Sequence, residues 1–390
     1  MMKRQAGFTL VELLITMAVF VLVIAAASNI FTHLLTQFKQ QSKIAETNIE
    51  GIVGLEILKQ DIEHAGYGLP WNVMVIDGSV TDSDGDGNLW EDLPTYSEGA
   101  LNPYGLNDAP SDAPKAIISA NNATYSSPND IFDGSDYLIV KGVNNARNDA
   151  CQRWTTQNSS DTKRTWGSAS DDPVGTDRVF VMFPGSTDLN SRSLVVSGGS
   201  YLTTFNNTAS FAPSNVTDTH FIYGINDSGA SFPIRPFNRS DYFIRRPPSA
   251  IPQRCAPNTG ALYKSALNQD LAGTLNYLPL LDCVADMQVI FGLDNDNDGD
   301  FEPGVSTDNY SDDITALTAQ QIRTQVKEVR VYILAHEGQR DSNYTYPSTT
   351  MDLGGDVGLG RTFNLATAIP NFQNYRWKLY TLAVKPKNLR

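Results

Sequence analysis

The chain has 390 residues and a formal net charge of −14. That acidity argues against a role in gripping nucleic-acid phosphates, which requires a basic footprint. An apolar share of 41% is ample for a core, and the residues beyond position 66, roughly 320 of them, are enough for one large or two modest domains.

A short leader, residues 1–7, carries Lys3 and Arg4. The run 8–31 that follows is apolar, with Glu12 as its sole ionisable side chain. At about 24 residues it exceeds the about 7–15 of a signal-peptide core and meets the roughly 20 needed to cross a bilayer. No Ala-x-Ala-like cleavage site closes it, so it reads as an anchor. The basic flank keeps the N-terminus cytoplasmic. With no second spanning run, the rest of the chain is expected to be exported in a single pass. A carboxylate inside a membrane costs about 2.5–3.5 kcal/mol and marks a functional site by default, which a plain anchor leaves unexplained.

Residues 32–66 continue as an amphipathic helix. Leu34, Leu35, Phe38, Ala45, Ile49, Ile52, Leu55, Leu58 and Ile62 recur mostly every three or four positions, with Lys, Glu and Gln between them. Gly66, Gly68 and Pro70 are stop signals. The expectation is one helix from Phe8 to Ala65, about 58 residues or roughly 87 Å, with its second half laid on a sheet.

Beyond Pro70, Gly, Asn, Asp, Ser and Pro become dense and helical periodicity fades. Strands are expected at 137–140, 178–183, 221–223, 287–291, 326–334 and 377–384, with a helix over 316–325. Residues 71–135 and 144–176 read as long loops or insertions. The fold class is therefore α+β: a long N-terminal helix on a large antiparallel β-rich domain spanning 67–390.

Asp294, Asp296, Asp298, Asp300 and Glu302 form an alternating acidic run with Gly299 at its sixth position, the first half of an EF-hand-type Ca2+ loop. Val305 stands at the twelfth position, so Glu302 or Asp308 must replace the usual Glu. A second candidate comprises Asp82, Asp84, Asp86 and Asn88, with Glu91 and Asp92 following. The alternative for both is a solvated acidic turn. Export permits disulfides; of Cys151, Cys255 and Cys283, the favoured pair is Cys255 with Cys283, against three buried thiols. His336 and Glu337 lack the second His of a zinc-protease motif, and neither a Gly-x-Ser-x-Gly elbow nor a Walker loop is present. An enzyme is not expected.

The segment Gly7-Phe8-Thr9-Leu10-Val11-Glu12-Leu13-Leu14 resembles the prepilin motif of type IV pilins and type II secretion pseudopilins. The resemblance implies that a prepilin peptidase cuts between Gly7 and Phe8 and methylates the Phe8 amine. That buried ammonium needs a partner, and Glu12 can pair with it in its own chain or in the next subunit. Major pilins often carry a proline near the position held here by Asn29; this chain has none before Pro70. Residues 61–68, 284–300, 326–334 and, loosely, 379–390 are similar to PilW-type minor pilins. That similarity implies a minor pilin of the inner membrane, then of the pilus. Its partners would be other minor and major pilins, the inner-membrane assembly platform and a tip adhesin. The alternatives are a GspJ-like type II secretion pseudopilin and a membrane-tethered, calcium-dependent binding module.

Overall fold

A computed structural model describes residues 9–93, 96, 98, 106, 112–123, 131–146, 148–185, 192–225, 235–247, 251–269, 273–304 and 307–389. Helix α1 (Leu10–Glu63) is continuous and, at 54 residues, about 80 Å long. Thr9 is its N-cap. The leader, Gly7 and Phe8 lie outside the described residues. Four threonines that could compete with the helix instead return their hydroxyls to it. Thr16 donates to the Glu12 carbonyl at 2.9 Å, Thr32 to Ser28, Thr36 to Thr32 and Thr47 to Lys43. Hydroxyls satisfied within the helix are compatible with an apolar surrounding.

The strands follow in chain order: β1 (Asn72–Val75), β2 (Ile117–Ala120), β3 (Tyr137–Gly142), β4 (Trp154–Asn158), β5 (Arg178–Phe183), β6 (Ser193–Val196), β7 (Leu202–Thr204) and β8 (Thr219–Gly224). Then come β9 (Asn238–Arg245), β10 (Gly260–Leu267), β11 (Leu275–Leu293), β12 (Asn309–Ser311), helix α2 (Ala319–Gln325), β13 (Val326–Glu337), β14 (Thr350–Leu353), β15 (Arg361–Asn364) and β16 (Arg376–Val384). The larger sheet has the order β16-β13-β11-β10-β9-β3-β2, with β12 added to β11. The second sheet runs β1-β6-β5-β8-β4, with β7 on β5. β1 and β6 pair in parallel, while the other pairings of these two sheets are antiparallel. Strands β3 and β9 are neighbours in the larger sheet, and the chain between them builds β4 to β8 of the other.

β11 is the axis of the larger sheet. It is buried without interruption from Cys283 to Leu293, as expected for a strand covered on both faces. Met287, Val289 and Phe291 enter the main core with Leu58 and Ile62 of α1 and with Phe180 and Leu194 of the second sheet. Ile290 faces the opposite side, against Leu353, Leu365 and Trp377. Cys283 has φ +60°, and the pairing register with β13 shifts between Val284 and Asp286. This bulge bends the long strand.

Where β3 meets β9 the interior is ionic. Glu98 bridges Lys141 at 2.5 Å and Arg239 at 2.6 Å; Arg239 is also paired with Asp241, which accepts from the Tyr137 hydroxyl at 2.5 Å. All four charged side chains are buried, two of each sign. Such a cluster persists because every member is matched.

Three sequence expectations are corrected. The segment 71–135 is not one loop, since it contains β1 and β2; 144–176 contains β4 and a short 3-10 turn, Asp149–Gln152. These strands are only four or five residues long, too short for a pattern to stand out. The helix expected over 316–325 begins at Ala319 behind a Thr318 and Gln321 capping box. The apolar stripe expected over residues 32–66 docks only through its C-terminal members Leu55, Leu58 and Ile62, while the rest of it stays exposed.

Candidate functional site

The N-terminus of α1 is organised around Glu12. Thr9 accepts the Glu12 backbone N–H at 3.3 Å, and Glu12 Oε2 accepts both the Thr9 backbone N–H and the Thr9 hydroxyl at 3.0 Å. This capping box turns the carboxylate back toward the chain segment that precedes the helix. From Leu10 to Phe38 the large apolar side chains stand bare; Leu22 is 70% exposed and Phe38 is 70% exposed. An apolar surface of this extent requires cover from outside the chain. The helix is long and apolar enough to cross a membrane.

Contact with the globular domain begins at Gln40, which bonds Asp341, and continues at Ile44, which lies against Gly338, and at Thr47, whose hydroxyl accepts the Gly338 N–H at 3.2 Å. It continues through Gly51, Gly54, Leu55, Leu58 and Ile62. The two glycines let the helix lie close to the β-strands. A Cβ on Gly54 would fall 2.2 Å from the Leu280 carbonyl oxygen, and one on Gly51 would fall 3.3 Å from Leu281. Of the apolar stripe expected over 32–66, only Leu55, Leu58 and Ile62 are buried. Ile49 and Ile52 are 64% and 66% exposed, and Val53 stands bare beside them. The apolar count misses glycines because they have no side chain to register; the signal was the Gly-x-x-Gly spacing itself.

Polar contacts lock this docking. Asp61 pairs with Lys264 and accepts from the Tyr242 hydroxyl at 2.5 Å. Burial pushes its carboxyl up, against the pull of Lys264 and Tyr242. Lys378 donates to Asn48 at 3.0 Å, and Lys387 N–H donates to the Glu63 carbonyl at 2.8 Å while its ammonium pairs with the Glu63 side chain.

Of the first acidic run, Asp294, Asp296 and Asp308 each offer an oxygen within 4.8 Å of the others. Asp298, Asp300 and Glu302 do not join that group; Asp298 accepts the Asp300 N–H at 3.0 Å, and the Glu302 N–H goes to Asp308 at 2.7 Å. Gly299 supplies the left-handed turn at φ +104°. In the second run Asp82, Asp84 and Asp86 converge similarly. Asp82 spends one oxygen on the Gly85 N–H at 2.6 Å and the other on the Gly87 N–H at 2.8 Å, which hold its carboxyl low. Asp92 accepts the Ser83 N–H at 3.4 Å, and Asn88 accepts the Trp90 N–H. Both sets are all-oxygen, the donor chemistry of a hard cation.

Cys255 and Cys283 are bridged, with their Cα atoms 4.8 Å apart. Cys151 is buried and lies outside that bridge. The buried His336 sits beside the disulfide, and its Nε2 accepts the Ala256 N–H at 2.8 Å. Burial pushes its imidazole down to about 3. With both sulfurs bonded to each other, this trio is a structural joint rather than a metal centre.

The geometry defines a class: a chain whose N-terminal helix is bare and apolar for half its length and docked on a β-domain for the rest. Residues 2–28 match the prokaryotic N-terminal methylation motif, and residues 241–388 match type IV pilus-assembly protein W. The chain thus carries a prepilin-type N-terminal motif and a PilW-type pilus-assembly domain, the latter taking in most of the larger sheet from β9 to β16. No curated protein and no solved structure matches the chain.

Proposed function

We propose that this protein is a minor pilin, processed between Gly7 and Phe8, methylated on Phe8 and inserted into a type IV pilus through α1, in the complex that primes assembly and occupies the tip. The observation that carries the reading is the bare apolar half of α1, ending in a carboxylate held at its first turn by the Thr9 cap. In a membrane, lipid covers that surface; in a filament, neighbouring helices do. The exposed Ile49, Ile52 and Val53 carry an apolar face past the docking point, as packing against other subunits requires and a solitary tether does not.

Glu12 gives the assembly its register. A mature Phe8 ammonium among apolar helices must be paired, and a carboxylate in the first turn of a neighbour rewards one axial stagger over others. The basic leader supports an N-in, single-pass precursor with the β-domain in the periplasm. The partners are the prepilin peptidase, other pilins and the inner-membrane platform. The PilW match supports the pilus over a type II secretion pseudopilin.

Glu12→Gln tests this. The variant is expected to insert and be cleaved normally while its amount in sheared pili falls at least about tenfold, the equivalent of about 1.4 kcal/mol. Incorporation at the wild-type level contradicts the role given to Glu12. Recovery with secretion machinery instead of pili would select the pseudopilin.

A further inference from the structure

The distal end of the larger sheet holds a charge that the chain leaves incompletely matched. Lys378 meets α1 at Asn48 and Lys387 meets it at Glu63, so β16 runs along α1 in the same direction. The antiparallel β13 therefore starts at the far end, away from the apolar half of the helix, where Val326 pairs with Leu293. Asp294 follows Leu293 directly and is fully buried. Its Oδ2 accepts the Gly299 N–H at 3.0 Å and lies 3.6 Å from the Lys327 ammonium. Its Oδ1 has no hydrogen-bond partner among the described residues. A buried polar atom without a partner calls for a physical reason, and a lysine beyond hydrogen-bonding reach of the other oxygen does not supply one.

The neighbours of Asp294 do. Asp296 and Asp308 bring carboxylate oxygens within 4.8 Å of it, and Asp308 is itself held by the Asn295 and Glu302 N–H groups. The Asp82 cluster offers no comparable atom, because both Asp82 oxygens are taken by turn N–H groups.

We propose that Asp294, Asp296 and Asp308 form a calcium site. The donors are carboxylate oxygens alone, which select a hard cation. They sit on an irregular loop, which suits the loose coordination of calcium better than the strict octahedron of magnesium. Asp308 takes the part of the closing acid that the EF-hand pattern places at Val305, a little earlier in the chain. The ion ties the start of the 294–308 loop to its end, just where Leu293 pairs with Asn309 and β12 closes on β11. Lys327 competes with it, so the affinity is set low, on the order of 10⁻⁴ to 10⁻³ M as in extracellular modules. The site does not depend on the pilin reading.

The test uses the full chain in detergent micelles, melted in millimolar CaCl2, in millimolar MgCl2 and in excess EGTA. Calcium is expected to raise the wild-type Tm by several degrees over EGTA, and magnesium by much less. Asp296→Asn, at an exposed position, is expected to lose most of that rise while melting within a degree or so of wild type in EGTA. Asp308→Asn is expected to lose the rise as well but to melt lower in EGTA, because its amide N–H would face the Asn295 or Glu302 N–H. Lys327→Met is expected to tighten calcium binding about tenfold. A wild-type Tm that ignores calcium, a rise kept in full by both aspartate variants, or an equal rise with magnesium each overturns the proposal.

Discussion

Two buried carboxylates and one buried imidazole set the acid–base behaviour of single residues. Asp136 accepts the Asn122 and Val289 N–H groups at 2.7 Å each, yet burial pushes its carboxyl up to about 7. Asp286, bound to Arg361 at 2.7 Å, is pushed by burial to about 6. A raised carboxyl stabilises the fold fully below its unfolded value, about 3.9, and that contribution is lost as pH rises to about 7. His336 acts in the opposite sense. Its neutral form is buried, so its contribution is present above about 6.5 and is lost as pH falls toward 3. Between pH values of about 4 and 6.5 the two effects oppose each other. Asp136→Asn is expected to lower Tm at every pH, because an amide N–H would face a backbone N–H. It also removes one of the opposing slopes, so the variant's Tm should rise more steeply with pH in that window than the wild type's. Parallel Tm–pH profiles would contradict the assignment. At this scale the sequence showed Glu12, because a lone acid in an apolar run stands out. It hid Glu98, Arg239 and Asp136, whose burial depends on partners more than a hundred residues away.

At the scale of elements, the docking of α1 rests on backbone proximity. Gly54 lies so close to Leu280 that an added methyl must displace the helix or the strand. Gly54→Ala is expected to cost roughly 1–3 kcal/mol, more than the same change gains from helix propensity, about 1 kcal/mol. Denaturant unfolding measures it, and a variant as stable as wild type would show that the close approach is dispensable. The Cys255–Cys283 bridge spans a sequence separation of 28 and joins the entry of β10 to the bulge of β11. Closing such a loop stabilises by roughly 3–4 kcal/mol in the chain-entropy account. Cys255→Ser should show a loss of that size, and a negligible loss would mean the bulge holds without it. The strongly apolar strands β3, β5, β11, β13 and β16 were legible by pattern. β8 was legible in part, but β1, β2, β4, β6, β7, β9, β10, β12, β14 and β15 were not, because they owe their pairing to distant neighbours rather than to a strong pattern of their own.

The whole molecule combines two family-matched segments with a stretch that neither match covers. The first turns of the long helix, as far as residue 28, and most of the sheet from β9 to β16 fall in the matched regions. The second sheet, apart from β1, is built from the chain between β3 and β9, outside both matches. It shares the main core through Phe180, Met182 and Leu194, so it extends the subunit without being tethered apart from it. The α+β class, the length of the helix and its lack of a proline break were readable from composition and period. Of the second sheet, β5 and β8 were readable, but β4, β6 and β7 were not, nor was their assembly into a separate sheet, since that pairing joins strands far apart in the chain.

The central claim is that the mature subunit starts with a charged amine poised for the Glu12 carboxylate. Mass spectrometry of the N-terminal peptide, from protein recovered in cells with an active prepilin peptidase, tests it most directly. The account predicts a chain beginning at Phe8 with one methyl group on its α-amine. A chain that retains residues 1–7 with an unmethylated start would contradict it.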